Sequence, residues 1–392
     1  MKIQSVGTPR SMRQLNELLI LDMILAGGPL SRADLSRQTG VSKPTVSSAI
    51  THLIQRGLVR ETGRADNSQG RKATLLEFNN HCFYVIGVDL GATRIRIALA
   101  DMGGQIVQYT QLAMPVRSLT DSEFQALLVQ GIEGLLKESA VSWEQIKAAT
   151  FGIPGVVDPS SGVVSGLVSP LAGLESTLQL TCLAQLLPVP VITENDVNLA
   201  ALAEHSISPE GAGRSLLYFS IGEGTGGGLI IQGEIYRGMG GGAGELANMS
   251  LSAGKLEDVL SAKGLIKLAC RFAEEQSSSG DGAQCSPERL FEEARRGNPL
   301  AESLMDEYCG LLAEALTNIC AVIAPESIIL GGGIGSNGDV LLHRLEARLT
   351  GWNHNPRLGV SYYREKDVVL GAVQVAVQAA FGRIREESAA MS

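Results

Sequence analysis

Residues 85–100, VIGVDLGATRIRIALA, constrain the fold more than any other stretch of this 392-residue chain. Val85, Ile86 and Val88 are β-branched and apolar, which favours a buried strand. Gly91 lacks a Cβ and lets the backbone fold back on itself. Beyond it, Ile95, Ile97 and Leu99 alternate with Arg94, Arg96 and Ala98, the two-residue period of a sheet with unlike faces. A β-hairpin is predicted, with Asp89, Gly91 and Thr93 in its turn. Backbone N–H groups and a hydroxyl there can face an anion such as phosphate. Many ordinary hairpins also carry Gly and Thr, so the flanking chain decides what this one means.

Upstream, Leu15, Leu18, Leu19, Leu21, Ile24 and Leu25 predict a helix stopped by Gly27, Gly28 and Pro29. Ser31 can cap a second helix running to Thr39, and Gly40 supplies the turn after it. Ser42 can cap a third, with Pro44 tolerated in its first turn. Val46, Ala49, Ile50 and Leu53 recur at i, i+3, i+4 and i+7, a single buried stripe. The opposite face carries Lys43, Thr45, Ser47, Ser48 and Thr51, small or basic side chains suited to a DNA major groove. Strands at 58–62 and 73–78 then flank a polar loop with Arg64, Arg71 and Lys72, which reads as a basic wing for backbone or minor groove. Small helical bundles of this kind also dock proteins. Charge favours nucleic acid: residues 1–80 carry 11 Lys and Arg against six Asp and Glu, while the rest of the chain is strongly acidic.

Downstream, helices are predicted at 124–138 and 198–205. Strands are predicted at 148–153, 190–193, 215–221, 228–231 and 328–330, with IGEGTGGG joining the strands at 215–221 and 228–231. The recurrence of strand, glycine turn and helix predicts two α/β lobes around a cleft. Residues 274–286, EEQSSSGDGAQCS, read as a mobile surface loop. No apolar run approaches the roughly 18 residues of a membrane span, and no signal peptide is evident, so a cytoplasmic location is expected. Cys82, Cys182, Cys270, Cys285, Cys309 and Cys320 are scattered without a C-x-x-C pair and read as buried thiols.

Six segments carry a resemblance. VDLGATRIRIAL (88–99), FGIPGVVD (151–158), ENDVNLAALAE (194–204), GEIYRGMGGGAGELANM (233–249), LEDVLSAKGL (256–265) and LGGGIG (330–335) resemble the ROK family of repressors and sugar kinases in order and spacing. The likeness covers residues 12–380 and is strongest to members with an N-terminal winged helix-turn-helix. It implies an actin-like, two-lobed sugar-kinase body, dimeric or tetrameric. The expected division is a DNA-binding domain at 1–80, a first lobe at 81–205 plus 372–392, and a second lobe at 206–371 with the sugar cleft.

Sugar hydroxyls both donate and accept, so a cluster of carboxylates and amides on glycine-bounded turns suits them. By resemblance, Asn195, Asp196, Glu245, Asn248 and Glu257 occupy sugar-contacting positions, and Asp196 matches the general base of the kinases. Singly, Asp196 could instead cap a helix and Glu257 could be a surface residue. By resemblance too, Asp89, Gly91, Thr93, Glu223, Gly224, Gly226 and Gly332 mark a vestigial nucleotide site.

The departures are informative. Asn248 replaces a common His, and NMSLSAGKLEDVLS replaces a cysteine-rich zinc loop without supplying Cys or His. The usual tetrahedral site therefore lacks its ligands, and no metal or cofactor is expected. Leu251 and Leu256 are the expected anchors of the shorter loop. Family Asn and Trp residues are absent from 169–176. Glu223 places a carboxylate where the kinases have a phosphate-facing Thr, which opposes ATP. The expected function is a sugar-responsive transcriptional regulator, a repressor inactive as a kinase. Its expected partners are operator DNA and a sugar or sugar phosphate. An active kinase with an appended head, or control by a sugar-transport protein, are the alternatives.

Overall fold

The computed structural model describes residues 9–64, 73–115, 117–167, 170–207, 215–275, 286–350 and 355–390. The N-terminal head comprises α1 (Pro9–Gly27), β1 (Leu30–Ser31), α2 (Arg32–Thr39), α3 (Lys43–Gln55), β2 (Val59–Arg64) and β3 (Thr74–Phe78). Local signals set its boundaries. Ser31 accepts the Asp34 N–H while the Asp34 carboxylate accepts the Ser31 N–H, a reciprocal cap. Gly40 ends α2 in the left-handed region at φ 71°, and Ser42 caps α3. Val46, Ala49, Ile50 and Leu53 are buried against Ile20, Leu21, Ile24 and Leu35. The order β1-β3-β2, all antiparallel, completes a winged helix.

The first lobe contains β4 (Tyr84–Leu90), β5 (Arg94–Asp101), β6 (Ile106–Ala113), α4 (Asp121–Glu138) and β7 (Ile146–Ile153). It continues through a small hairpin of β8 (Val156–Val157) and β9 (Val164–Ser165), then α5 (Glu175–Leu178), α6 (Leu180–Leu186), β10 (Val191–Asn195) and α7 (Asp196–Ser206). The second lobe begins with β11 (Leu216–Ile221), β12 (Thr225–Ile231), β13 (Glu234–Ile235), β14 (Ser250–Leu251) and β15 (Gly254–Lys255). Helices α8 (Leu256–Leu260), α9 (Ala262–Glu275), α10 (Pro287–Arg295) and α11 (Pro299–Ile323) follow. Then come β16 (Ser327–Gly331), α12 (Gly332–Gly335), α13 (Gly338–Arg348) and β17 (Arg357–Val360), after which α14 (Asp367–Ala390) returns to the first sheet.

The two main sheets repeat one plan. Their orders are β6-β5-β4-β7-β10 and β13-β12-β11-β16-β17, with three antiparallel strands followed by two parallel ones in each. Helices α7 and α14 pack on each other between the sheets, α14 against β4 and β7, α7 against β11 and β12. The first sheet's other face buries Phe124, Leu128 and Ile132 of α4, and α11 forms the centre of the second lobe's core.

Several expectations need correction. Asp89 lies inside β4 rather than in the turn, which is confined to 91–93. The stretch IGEGTGGG is not all loop, because β12 begins at Thr225, three residues before the expected start at 228. A Cβ on Gly228 would come within 2.4 Å of the Val197 carbonyl oxygen, so the glycine lets α7 lie directly on the strand. Among the cysteines, Cys309 and Cys320 are buried, Cys82 and Cys182 half-buried, and Cys270 is exposed on α9; Cys285 and most of the 274–286 loop lie outside the described residues. Among the described residues one helix, centred on α14, is long and apolar enough by length and composition to cross a membrane. Its Val369, Val373, Ala376, Ala380 and Ile384 are instead buried in one core with Ile20, Ile24, Leu53 and Phe78 of the head and Val85 and Ala100 of the first sheet.

Candidate functional site

The outward face of α3 displays Lys43, Ser47, Ser48 and Thr51, with Thr45 half-buried in the first turn. The Thr45 hydroxyl sits 2.8 Å from that of the capping Ser42, and the Thr51 hydroxyl donates to the Ser47 carbonyl at 2.9 Å. The helix therefore presents a small, polar, singly charged surface of the kind a groove admits. Arg64 ends β2, but its side chain, Arg71 and Lys72 lie outside the described residues.

Between the lobes, two cavities meet at Asp196. The first, about 350 Å³, is lined by Asn195, Asp196, Glu245 and Glu257 together with the β11–β12 turn and the start of β12, residues 222–227, which include Glu223, Gly224 and Gly226. Asn195 is the N-cap of α7: its Oδ1 accepts the Asn198 N–H at 2.9 Å and its Nδ2 donates to the Gly155 carbonyl at 3.1 Å. It thereby fixes Asp196, the first residue of the helix, whose Oδ1 accepts the Val197 N–H at 2.9 Å. Across the cavity Glu257 accepts both the N–H and the hydroxyl of Thr225, at 2.8 and 2.5 Å, so its carboxylate is aimed by the turn. Acceptors thus converge from both lobes, as polyol recognition requires.

The second cavity, about 420 Å³, is lined by Asp89, Gly91, Arg96, Asp196, Tyr218, Gly332, Arg364 and Asp367, among others. Arg96 donates from Nη1 to Asp89 at 2.9 Å and from Nη2 to Glu365 at 3.3 Å. Burial pushes Asp89 up to about 6 against the pull of that guanidinium. Burial, reinforced by the Asp89 carboxylate, pushes Asp196 up to about 7. Asp367 is raised by the same desolvation and is held by the Tyr218 hydroxyl. Ser361 donates to Glu204 of α7 at 2.6 Å and lies 3.5 Å from Asp367, tying α7 to the start of α14. Three interacting carboxyls share this wall, so charge added here is costly unless it is positive or compensated.

Two expected residues are not among those lining these cavities: Asn248, exposed at the end of a short 3₁₀ turn, and Thr93, exposed in the β4–β5 turn. Four residues that matter were not singled out from the sequence: Glu194, Arg237, Tyr218 and Asp367. Each acts through a partner at least 40 residues distant, and no local pattern marks it. Residues 249–257 form the β14–β15 hairpin and the start of α8, with Leu251 and Leu256 buried and the Ser252 N–H and hydroxyl on Glu314 at 2.7 and 2.6 Å. Its donor set does not fit zinc, and no group of three or more His, Cys, Asp or Glu placed to hold a metal occurs among the described residues.

Two like-ordered sheets closing on a carboxylate-lined cleft, with a winged helix at the N-terminus, define a two-lobed, actin-like protein of the sugar-kinase type bearing a DNA-binding-type head. The chain belongs to the ROK family, whose model matches residues 85–379; a MarR family model matches residues 13–71. It is similar to the xylose repressor of Caldicellulosiruptor bescii, 26% identical over 392 residues spanning 95% of this chain and 98% of that one. Among solved structures it is similar to a ROK family transcriptional regulator described as a homolog of the E. coli MLC protein (TM-score 0.77, 22% identity, 97% of this chain and 99% of the other). Its body also resembles the ROK hexokinase from Thermus thermophilus, with TM-score 0.60 and 25% identity over 78% of this chain and all of that one.

Proposed function

We propose that the protein is a sugar-responsive transcriptional repressor: the winged helix holds an operator, and a monosaccharide or its phosphate in the inter-lobe cleft weakens that hold. The observation that carries this reading is the shared core. α14 begins at Asp367 in the cleft wall and ends against the head, where Phe381 meets Phe78 at 5.3 Å between ring centroids and Arg385 pairs with Asp22 at 2.8 Å. A change in lobe closure therefore has a rigid route to the DNA-facing helix. The protein acts in the cytoplasm, as a homodimer or homotetramer, with no zinc and no other cofactor. The test is fluorescence anisotropy of genomic fragments with full-length protein. Binding that falls steeply with salt and is reversed by one of D-xylose, D-glucose, N-acetyl-D-glucosamine or their 6- or 5-phosphates supports it; failure to bind any fragment overturns it.

One feature favours a second reading, an ATP-dependent sugar kinase with an appended head: Asp196, held near neutral pH, suits a general base for a sugar hydroxyl. Two features oppose it. Arg96 occupies Asp89, and the exposed Glu223 carboxylate stands in the turn between β11 and β12, where phosphate charge must be neutralised for transfer. The expected result of a coupled assay is negligible sugar-dependent ATP consumption. Robust phosphorylation abolished by Asp196→Asn would establish the kinase.

A further inference from the structure

Glu194 is a buried carboxylate, 4% exposed, that sugar contact does not explain. It precedes Asn195 on β10, and its oxygens take donors from both lobes. Oε1 accepts the Asn195 N–H and the Asn198 side-chain amide, each at 3.0 Å. Oε2 accepts Nε of Arg237 at 2.6 Å. Arg237 follows β13 in the second lobe, on the segment that runs on to Glu245. That segment is bonded within its own lobe: the Ala243 N–H donates to the Arg237 carbonyl at 3.0 Å, and the Gly227 N–H to the Gly244 carbonyl at 2.8 Å. It also rests on the first lobe. At Gly241, φ 81°, a Cβ would fall 2.1 Å from the Val157 carbonyl oxygen, so backbone meets backbone across the cleft.

A sugar gripped from two lobes needs its acceptors at a fixed separation before it arrives, because ordering them on binding weakens affinity. The first-lobe half, Asn195 and Asp196, is held to Glu194 by the Asn195 N–H and, one turn into α7, by the Asn198 amide. The second-lobe half, Glu245, lies eight residues beyond Arg237. We infer that Arg237 is a positioning residue of the effector cleft: its bridge to Glu194 holds the segment bearing Glu245 in place against the turn bearing Asn195 and Asp196. Arg237 is absent from the lining of the sugar cavity, so the effect passes through Glu194. The inference rests on the sugar-binding reading above.

The test uses the full-length protein and has two arms. In the first, hydrogen exchange is followed without sugar in the wild type, Arg237→Gln and Arg237→Lys. The Gln variant is expected to exchange about tenfold faster in both 195–198 and 236–245, with Lys restoring most of the protection. In the second, calorimetry measures D-xylose, D-glucose and N-acetyl-D-glucosamine. Any probe that binds the wild type is expected to lose about tenfold in affinity in the Gln variant and regain most of it with Lys, while sugar-free DNA affinity stays unchanged. If the Gln variant does not fold, the Glu194→Gln, Arg237→Gln double variant leaves no buried charge unpaired and is read the same way. Wild-type protection in either segment, or unchanged probe affinity, overturns the inference. If no probe binds the wild type, the sugar reading fails for those probes, and the exchange arm alone still decides the bridge.

Discussion

At Asp196 burial and the neighbouring Asp89 carboxylate both oppose ionisation, and the native carboxyl titrates near 7 rather than near 3.8. Between those values the native state binds more protons than the unfolded chain, so Asp196 lowers stability as pH rises from about 4 to about 7. Asp196→Asn removes the titration while keeping the shape. It is expected to raise the melting temperature by about 4 °C at pH 8, with the gain shrinking towards nil near pH 4. Thermal melts across pH check this, and a gain independent of pH would contradict the assignment. The same variant is expected to weaken the effector sugar about tenfold or more, since a charged acceptor is lost, while leaving sugar-free DNA binding intact. Paired calorimetry and anisotropy measure both.

The β14–β15 hairpin is tied to the second lobe by apolar packing and by a carboxylate of α11. Leu256 is fully buried beneath it and Leu251 nearly so, while Glu314 of α11 ties its tip. Elemental analysis is expected to find no stoichiometric zinc, and chelator is expected to leave the melting temperature unchanged. Leu256→Ala should cost about 2–5 kcal/mol in denaturant unfolding, as cavities in packed cores do. One zinc per chain would show ligands outside this hairpin. Elements governed by neighbours in sequence were legible: Ser31, Gly40 and Ser42 act within three or four residues, and the caps of α2 and α3 fell where expected. Elements set by tertiary packing were not. Gly226 and Gly227 read as loop because glycine disfavours strand, yet both lie in β12, Gly226 against Val197 of α7 and Gly227 against Leu246 and the Gly244 carbonyl. The site divided likewise: its carboxylates were singled out through the family resemblance of their segments, whereas Arg96 on Asp89 and Arg237 on Glu194 appear only when strands pair and lobes meet.

Across the whole molecule, α14 is the member common to cleft and head. Its 24 residues span about 36 Å, from Asp367 beside Tyr218 to the turn where Ser388 accepts from Arg56 at 2.8 Å. Phe381→Ala removes the ring tilted against Phe78 and is expected to leave sugar and DNA affinities within about threefold while cutting sugar-driven release by about tenfold. Anisotropy with and without sugar separates those effects. On the proposed reading cleft and head share one equilibrium, and linkage makes this measurable: if sugar weakens operator binding by some factor, operator must weaken sugar binding by the same factor. The decisive measurement is the affinity of the full-length protein for its releasing sugar, by calorimetry, free and saturated with operator duplex. Sugar binding is expected to be weaker on DNA, by the factor seen in the reverse titration. Equal sugar affinity in both states would contradict it.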